Sequence, residues 1–132
     1  MSTADVPEGP STGIFEAYYR TYNSEDPEAL AGFYADDVVM VSAAGESHGV
    51  DAILDTYRYL IANFHDQMTP ESIAIDGDTG VVRIVDHFRA KQPVEEFFGR
   101  RFAPGDEMTL CLVGTYTVRD GRFSRVEIRL VE

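Results

Sequence analysis

The sequence predicts a single α+β domain in which helices from the first half of the chain cover one face of a curved, mainly antiparallel sheet supplied by the second half. Two patterns carry that reading: apolar residues recur at helical spacing up to residue 64 and alternate at strand spacing after Pro70. The length of 132 residues bounds it, since a domain takes roughly 100 to 200 residues. A chain of this size buries about two thirds of its unfolded surface, so neither disulfides nor a structural metal is needed to hold it.

Residues 1–13 are polar, rich in Pro and Gly and without an apolar signal core, and are expected to form a flexible N-terminal leader ahead of one domain over residues 14–132. In residues 14–22, Phe15, Tyr18, Tyr19 and Tyr22 form the stripe of an amphipathic helix that ends near Asn23. Asp26 can cap a second helix ahead of Pro27, with Leu30, Phe33 and Tyr34 on its buried face and an end near Ala35. Residues 37–43 are rich in Val and read as a strand, residues 44–49 as a small-residue turn. Residues 50–64 form a third helix that turns Ile53, Leu54, Tyr57, Leu60, Ile61 and Phe64 inward. Strands follow at 71–75, 81–90, 107–119 and 123–131, with turns at 76–80 and at Asp120-Gly121. Residues 91–104 are interrupted by Pro93, Gly99 and Pro104 but carry Val94, Phe97, Phe98 and Phe102. They are expected to form a mobile rim over a pocket, not sheet.

Strand phase locates the chemistry, because successive side chains point to opposite faces. Along residues 81–90, Val82, Ile84, Asp86 and Phe88 share one phase, and Arg83, Val85, His87 and Arg89 the other. Asp86 is a carboxylate on the apolar side. Along residues 107–119, Met108, Leu110, Leu112, Gly114, Tyr116 and Val118 form the core phase, opposite Thr109, Cys111, Val113, Thr115 and Thr117.

Composition excludes several classes of partner. Asp and Glu total 23 against 11 Lys and Arg, a net charge of -12, with no basic cluster, so neither nucleic acid nor an anionic membrane is expected as a partner. The apolar runs fall short of the roughly 18 residues that span a bilayer, and a soluble, cytoplasmic protein is expected. Cys111 is the single cysteine, and three histidines without paired spacing give no metal site. Asp76-Gly77-Asp78-Thr79-Gly80 lacks the distal glutamate of a calcium loop and reads as a hairpin turn. With no Gly-rich phosphate loop, no cofactor is expected.

Phe33-Tyr34-Ala35-Asp36-Asp37 running into a Val strand, His48-Gly49-Val50-Asp51-Ala52-Ile53 opening a helix, and Asp120-Gly121-Arg122-Phe123 before the last strand resemble the nuclear transport factor 2-like superfamily, and within it the SnoaL-like group. The resemblance implies a cone-shaped α+β barrel of three helices on a strongly curved sheet enclosing an apolar pocket. Its members include polyketide cyclases, ketosteroid isomerases, limonene epoxide hydrolases and non-catalytic binding modules. Matched to ketosteroid isomerase-like proteins, Tyr18 takes the tyrosine position, Ser42 the base position and Gly114 the acid position. Matched to limonene epoxide hydrolase-like proteins, Asp86 takes the first aspartate position, Ile84 the arginine position and Ile128 the second aspartate position. Polyketide cyclases of the SnoaL type use a pocket carboxylate as acid or base, the role that remains for Asp86.

Two functional readings follow. In the first, a cofactor-independent enzyme acts on a small apolar carbonyl-bearing molecule by cyclisation, isomerisation or hydration, with Asp86 as base at a raised pKa and Tyr18 as oxyanion donor. In the second, the same pocket binds a small ligand, or the domain is a dimeric interaction module, without turnover, and Asp86 is a structural carboxylate. In either, Phe15, Tyr22, Met40, Ser42, Tyr57, Phe88, Leu112 and Tyr116 are expected to line a closed cavity. A homodimer is expected through the outer sheet face at Thr109, Cys111, Val113, Thr115 and Thr117.

Overall fold

The computed structural model describes residues 11–43 and 45–131. Helix α1 (Thr12–Tyr22) buries Phe15, Tyr18, Tyr19 and Tyr22, the four positions of the expected stripe. Thr12 and Gly13 belong to this helix and not to a leader, and residues 1–10 lie outside the described residues. Helix α2 (Pro27–Ala31) starts as expected, with the Asp26 carboxylate accepting the Ala29 amide at 3.2 Å and Pro27 in the first turn. It stops earlier than Phe33 and Tyr34 suggest. The Phe33 carbonyl accepts the Phe123 amide at 2.8 Å and Tyr34 pairs with Phe123, so the sheet captures the chain at the point where the helical stripe would continue.

Strand β1 (Tyr34–Ser42) therefore begins before residue 37, and β2 (Gly45–His48) pairs back onto it where a turn was expected. Ladder bonds are backbone bonds, so the polar Gly45-Glu46-Ser47-His48 segment can supply an edge strand despite its low strand propensity. Helix α3 (Val50–Asn63) buries Ile53, Leu54 and Tyr57. Directly after it, β3 (Phe64–Asp76) starts well ahead of the expected residue 71 and passes through Pro70. Pro70 is tolerated because β3 ends the sheet and its register slips between Pro70 and Ser72. After β4 (Thr79–Ala90), β5 (Val94–Phe97) and β6 (Arg100–Phe102) form a separate hairpin, followed by β7 (Glu107–Arg119) and β8 (Arg122–Leu130).

The expectation that residues 91–104 carry no sheet is thus corrected. Phe98 at φ 52° and Gly99 at φ 74° form the positive-φ turn of a tight hairpin, while Val94 and Phe102 pack on Phe64, Phe88 and Ala90. The main sheet runs β2-β1-β8-β7-β4-β3, antiparallel except for the parallel β1 and β8. It is curved but not closed, so the expected barrel is a cone with an open side.

Strand phase survives intact. Val82, Ile84, Asp86, Phe88 and Ala90 are buried on the concave face of β4, and Leu112, Tyr116 and Val118 on that of β7. Among the described residues, no helix is long and apolar enough to cross a membrane. Gly80 is fixed by a close approach: a Cβ there would overlap the ring of Phe15, which is fully buried against Tyr116 and Phe123. Gly80→Ala is expected to cost about 1–3 kcal/mol by overpacking, measured by urea unfolding. A loss below about 0.5 kcal/mol would show that the ring yields freely.

Candidate active site

Where the helices leave the concave sheet uncovered, a cavity of about 190 Å³ remains. Helix α1 contributes Tyr18 and Tyr22, one turn apart, and α3 contributes Tyr57. Met40 and Ser42 come from β1, Asp86 and Phe88 from β4, and Leu112 and Tyr116 from β7. The structure thus brings together every expected site residue except Phe15. Phe15 and Tyr19 lie on the neighbouring stripe of α1 and point deeper into the core, where the Tyr19 hydroxyl meets that of Tyr116 at 2.6 Å.

The hairpin places Phe97 and Phe98 at the mouth of the cavity. Phe98 is 45% exposed and Leu130, also at the rim, 44%, so the cavity opens to solvent and is not the closed one expected. The positive φ of Phe98 is a strained conformation for a bulky residue, held here at the opening of the pocket. A depression of about 410 Å³ beside His65, Arg89 and Lys91 has no buried polar side chain in its wall, whereas the smaller cavity has Asp86.

Two charged residues are buried among those described, Asp66 at 1% and Asp86 at 2% exposure. Asp66 escaped the sequence analysis because residues 64–70 were assigned to no strand. In the register of β3 and β4, Asp66 faces Phe88 and Met68 faces Asp86, so the two carboxyls are diagonal neighbours on the concave face. They lie within hydrogen-bond reach of one another. Asp86 lines the cavity; Asp66 stands behind it and accepts the Tyr22 hydroxyl at 2.7 Å on Oδ2. Tyr57 in turn donates to the Tyr22 backbone carbonyl at 2.6 Å, which ties α3 to the end of α1.

Burial raises both carboxyls above the usual range, and the neighbouring Asp66 raises Asp86 further. Asp66 is pulled back by its hydrogen bonds from Asp86 and Tyr22. Burial beside a second acid therefore favours the neutral form of Asp86 in particular, because two buried carboxylates side by side resist ionising together. Asp66 Oδ1 and Asp86 Oδ1 are buried without a hydrogen-bond partner. Asp86 thus stands in the cavity wall as a buried carboxyl with the raised pKa expected of it.

Tyr18 is less available than expected, since its hydroxyl lies 2.6 Å from that of Tyr34. Burial pushes both phenols up and keeps them neutral. When Tyr34 donates to Tyr18, the Tyr18 proton is left for a ligand oxygen, and both rings line the cavity. No Lys, Arg or His lines the cavity, and no group of three or more metal-ligating side chains occurs, among the described residues.

The fold is an α+β cone with a buried acid in the wall of an apolar cavity, and the comparisons specify its family. A SnoaL-like domain model matches residues 15–126, and the chain belongs to that family. Among solved structures, a candidate polyketide cyclase of Xanthomonas campestris pv. campestris is 23% identical, with a TM-score of 0.77 over 89% of this chain and 87% of that one. An epoxide hydrolase of M. tuberculosis, like limonene epoxide hydrolases, is 15% identical, with a TM-score of 0.72 over 89% and 80%. TsrD of Streptomyces laurentii is 19% identical, with a TM-score of 0.74 over 98% and 90%. At these identities the likeness concerns the fold. No curated protein matches the chain in sequence.

Proposed function

We propose that the protein is a cofactor-independent enzyme of the SnoaL-like family that moves protons on a small, largely apolar, carbonyl-bearing substrate. The observation that supports this reading most is the Asp66/Asp86 pair, which places one transferable proton at the wall of an apolar cavity. In enolisation the proton of Asp86 passes to Asp66 as Asp86 takes the proton next to the carbonyl, and in reprotonation Asp86 gives that proton back to carbon and recovers its own from Asp66. Asp86 is the catalytic residue in this scheme and Tyr18 the donor to the substrate oxygen. Asp66 and Tyr22 are positioning residues, which set the pair's charge without touching substrate.

The cavity limits the substrate. An apolar cavity of roughly 150 Å³ takes benzene, so about 190 Å³ suits a molecule with one ring or a short chain. The test is proton exchange: small cyclic ketones incubated with the protein in deuterium oxide should gain deuterium next to the carbonyl, read by proton NMR. Asp86→Asn should abolish that gain. A panel in which no ketone exchanges faster than with buffer alone turns the reading into a binding module.

Tyr22→Phe provides a finer test. Without its hydroxyl the ionised form of Asp66 loses a charge-assisted hydrogen bond. Turnover should fall about 10-fold and the acid limb of the pH-rate profile should move to higher pH. An unmoved acid limb would place Tyr22 in packing alone.

A homodimer through the outer sheet face is part of the proposal, and Cys111 is exposed on that face of the protomer. Sedimentation at micromolar concentration should give twice the mass of one chain, and a monomer would remove this element.

A further inference from the structure

Asp86 lines the cavity with no basic group opposite it among the described residues. Asp86 Oδ1 and the neighbouring Asp66 Oδ1 are buried without a hydrogen-bond partner, in residues 2% and 1% exposed, so a cation held against Asp86 would stabilise its carboxylate. Buried charges in folded proteins are paired with an opposite charge or bind a metal. Here the wall supplies neither among the described residues: no Lys, Arg or His lines the cavity. The histidines that adjoin the two acids in sequence are turned elsewhere, His87 to Glu107 at 2.6 Å and His65 to Glu25 at 3.6 Å.

What does surround the charge is aromatic. Tyr18, Tyr22, Tyr34, Tyr57, Phe88 and Tyr116 all line the same cavity. Ring faces carry negative quadrupole potential and attract cations, most strongly where water is excluded. A carboxylate behind a cage of rings is the complement of an organic ammonium ion, whose charge meets the acid and whose carbon skeleton meets the rings.

We propose that the cavity is a receptor for a small organic ammonium ion of about the size of benzylammonium, with its cationic head against Asp86 and its apolar body among the tyrosines. Volume supports a ligand of this size, about 190 Å³ being enough for a single ring with a short arm. Access is through the rim at Phe98 and Leu130. The proposal goes beyond the reaction above, because such a ligand reads the pair's charge and not its proton. An ammonium ligand occupies the catalytic cavity and competes with the neutral substrate for it.

Calorimetric titration at pH 7 with benzylammonium, benzyl alcohol and benzoate separates charge from shape in three near-isosteres. The ammonium should bind at least about 10-fold more tightly than the alcohol, and benzoate should not bind. In the double variant Asp66→Asn with Asp86→Asn, which keeps the side-chain volumes and removes the charge, ammonium and alcohol should bind alike. Benzyl alcohol or benzoate binding the native protein as tightly as the ammonium, no heat with benzylammonium at millimolar concentration, or an ammonium preference that survives in the folded double variant would each overturn the proposal. If the double variant does not fold, the native series decides alone. Deuterium exchange needs no amine and this titration needs no turnover, so failure of one leaves the other reading standing.

Discussion

Asp86→Asn is expected to yield a folded protein whose turnover is lower by about 100-fold or more. The substitution keeps the volume on the concave face of β4, and the new amide can donate to Asp66 in place of the lost proton. What it removes is the only acidic side chain in the cavity wall among the described residues. Circular dichroism and the deuterium exchange assay together check the result. An unfolded variant would place Asp86 in the structure's support, whereas a folded variant with native exchange would remove it from the chemistry. A retained fold with lost exchange separates these two roles, which the sequence alone leaves open.

The same variant is expected to be more stable than the native protein at neutral pH, and increasingly so as pH rises. In the unfolded chain both carboxyls ionise near the ordinary value of about 3.9. The folded pair is raised above that value by burial, so the native state keeps a proton that the unfolded chain releases. A raised folded pKa contributes stability that is fully present below about pH 4 and is lost as pH climbs towards the folded value. One proton corresponds to about 1.4 kcal/mol per pH unit. In Asp86→Asn, the Asn amide and the Tyr22 hydroxyl hold Asp66 ionised, as it is in the unfolded chain, and the slope disappears. Between pH 5 and pH 7 the gap should therefore move in favour of the variant by about 3 kcal/mol. Urea unfolding at several pH values measures it, and parallel curves for the two proteins would show that no proton is retained.

The fold was legible in the sequence wherever one face of an element meets the core. Phe15, Tyr18, Tyr19 and Tyr22 mark α1, and the alternation that sets Val82, Ile84, Asp86 and Phe88 apart from Arg83 and Arg89 marks β4; both are buried as their periods require. The strands that pair through backbone alone were not legible. Gly45–His48 carries no apolar alternation, and the β5 and β6 hairpin turns on Phe98, a residue that turn preferences do not favour. The end of α2 was misread because Phe33 and Tyr34 fit a helix locally, while the Phe33 carbonyl is taken by Phe123, distant in sequence.

Half of the acid/base pair was legible for the same reason. Asp86 stands out because its strand is unmistakable. Asp66 sits in an equivalent pattern, Phe64, Asp66 and Met68 alternating with His65 and Gln67, but strand spacing was read only after Pro70. Pro70 is accommodated within β3 because an edge strand has an outer side with no partner to lose. The partnership of the two acids was beyond reach in any case, since it depends on the register that sets Asp66 opposite Phe88 and Met68 opposite Asp86. Tyr18 illustrates the opposite case: its position on the helix was clear, but the Tyr34 hydroxyl that engages it was assigned to another element.

The function and the pH dependence both rest on the buried pair retaining one proton at neutral pH. Carbon-13 NMR of the aspartate side-chain carboxyls, with Asp66 and Asp86 assigned from their Asn variants, observes that proton directly. Both carboxyls are expected to titrate above the ordinary range, Asp86 the higher of the two and above neutral pH. Two carboxyl carbons that both titrate near about 3.9, as solvent-exposed aspartates do, would contradict it.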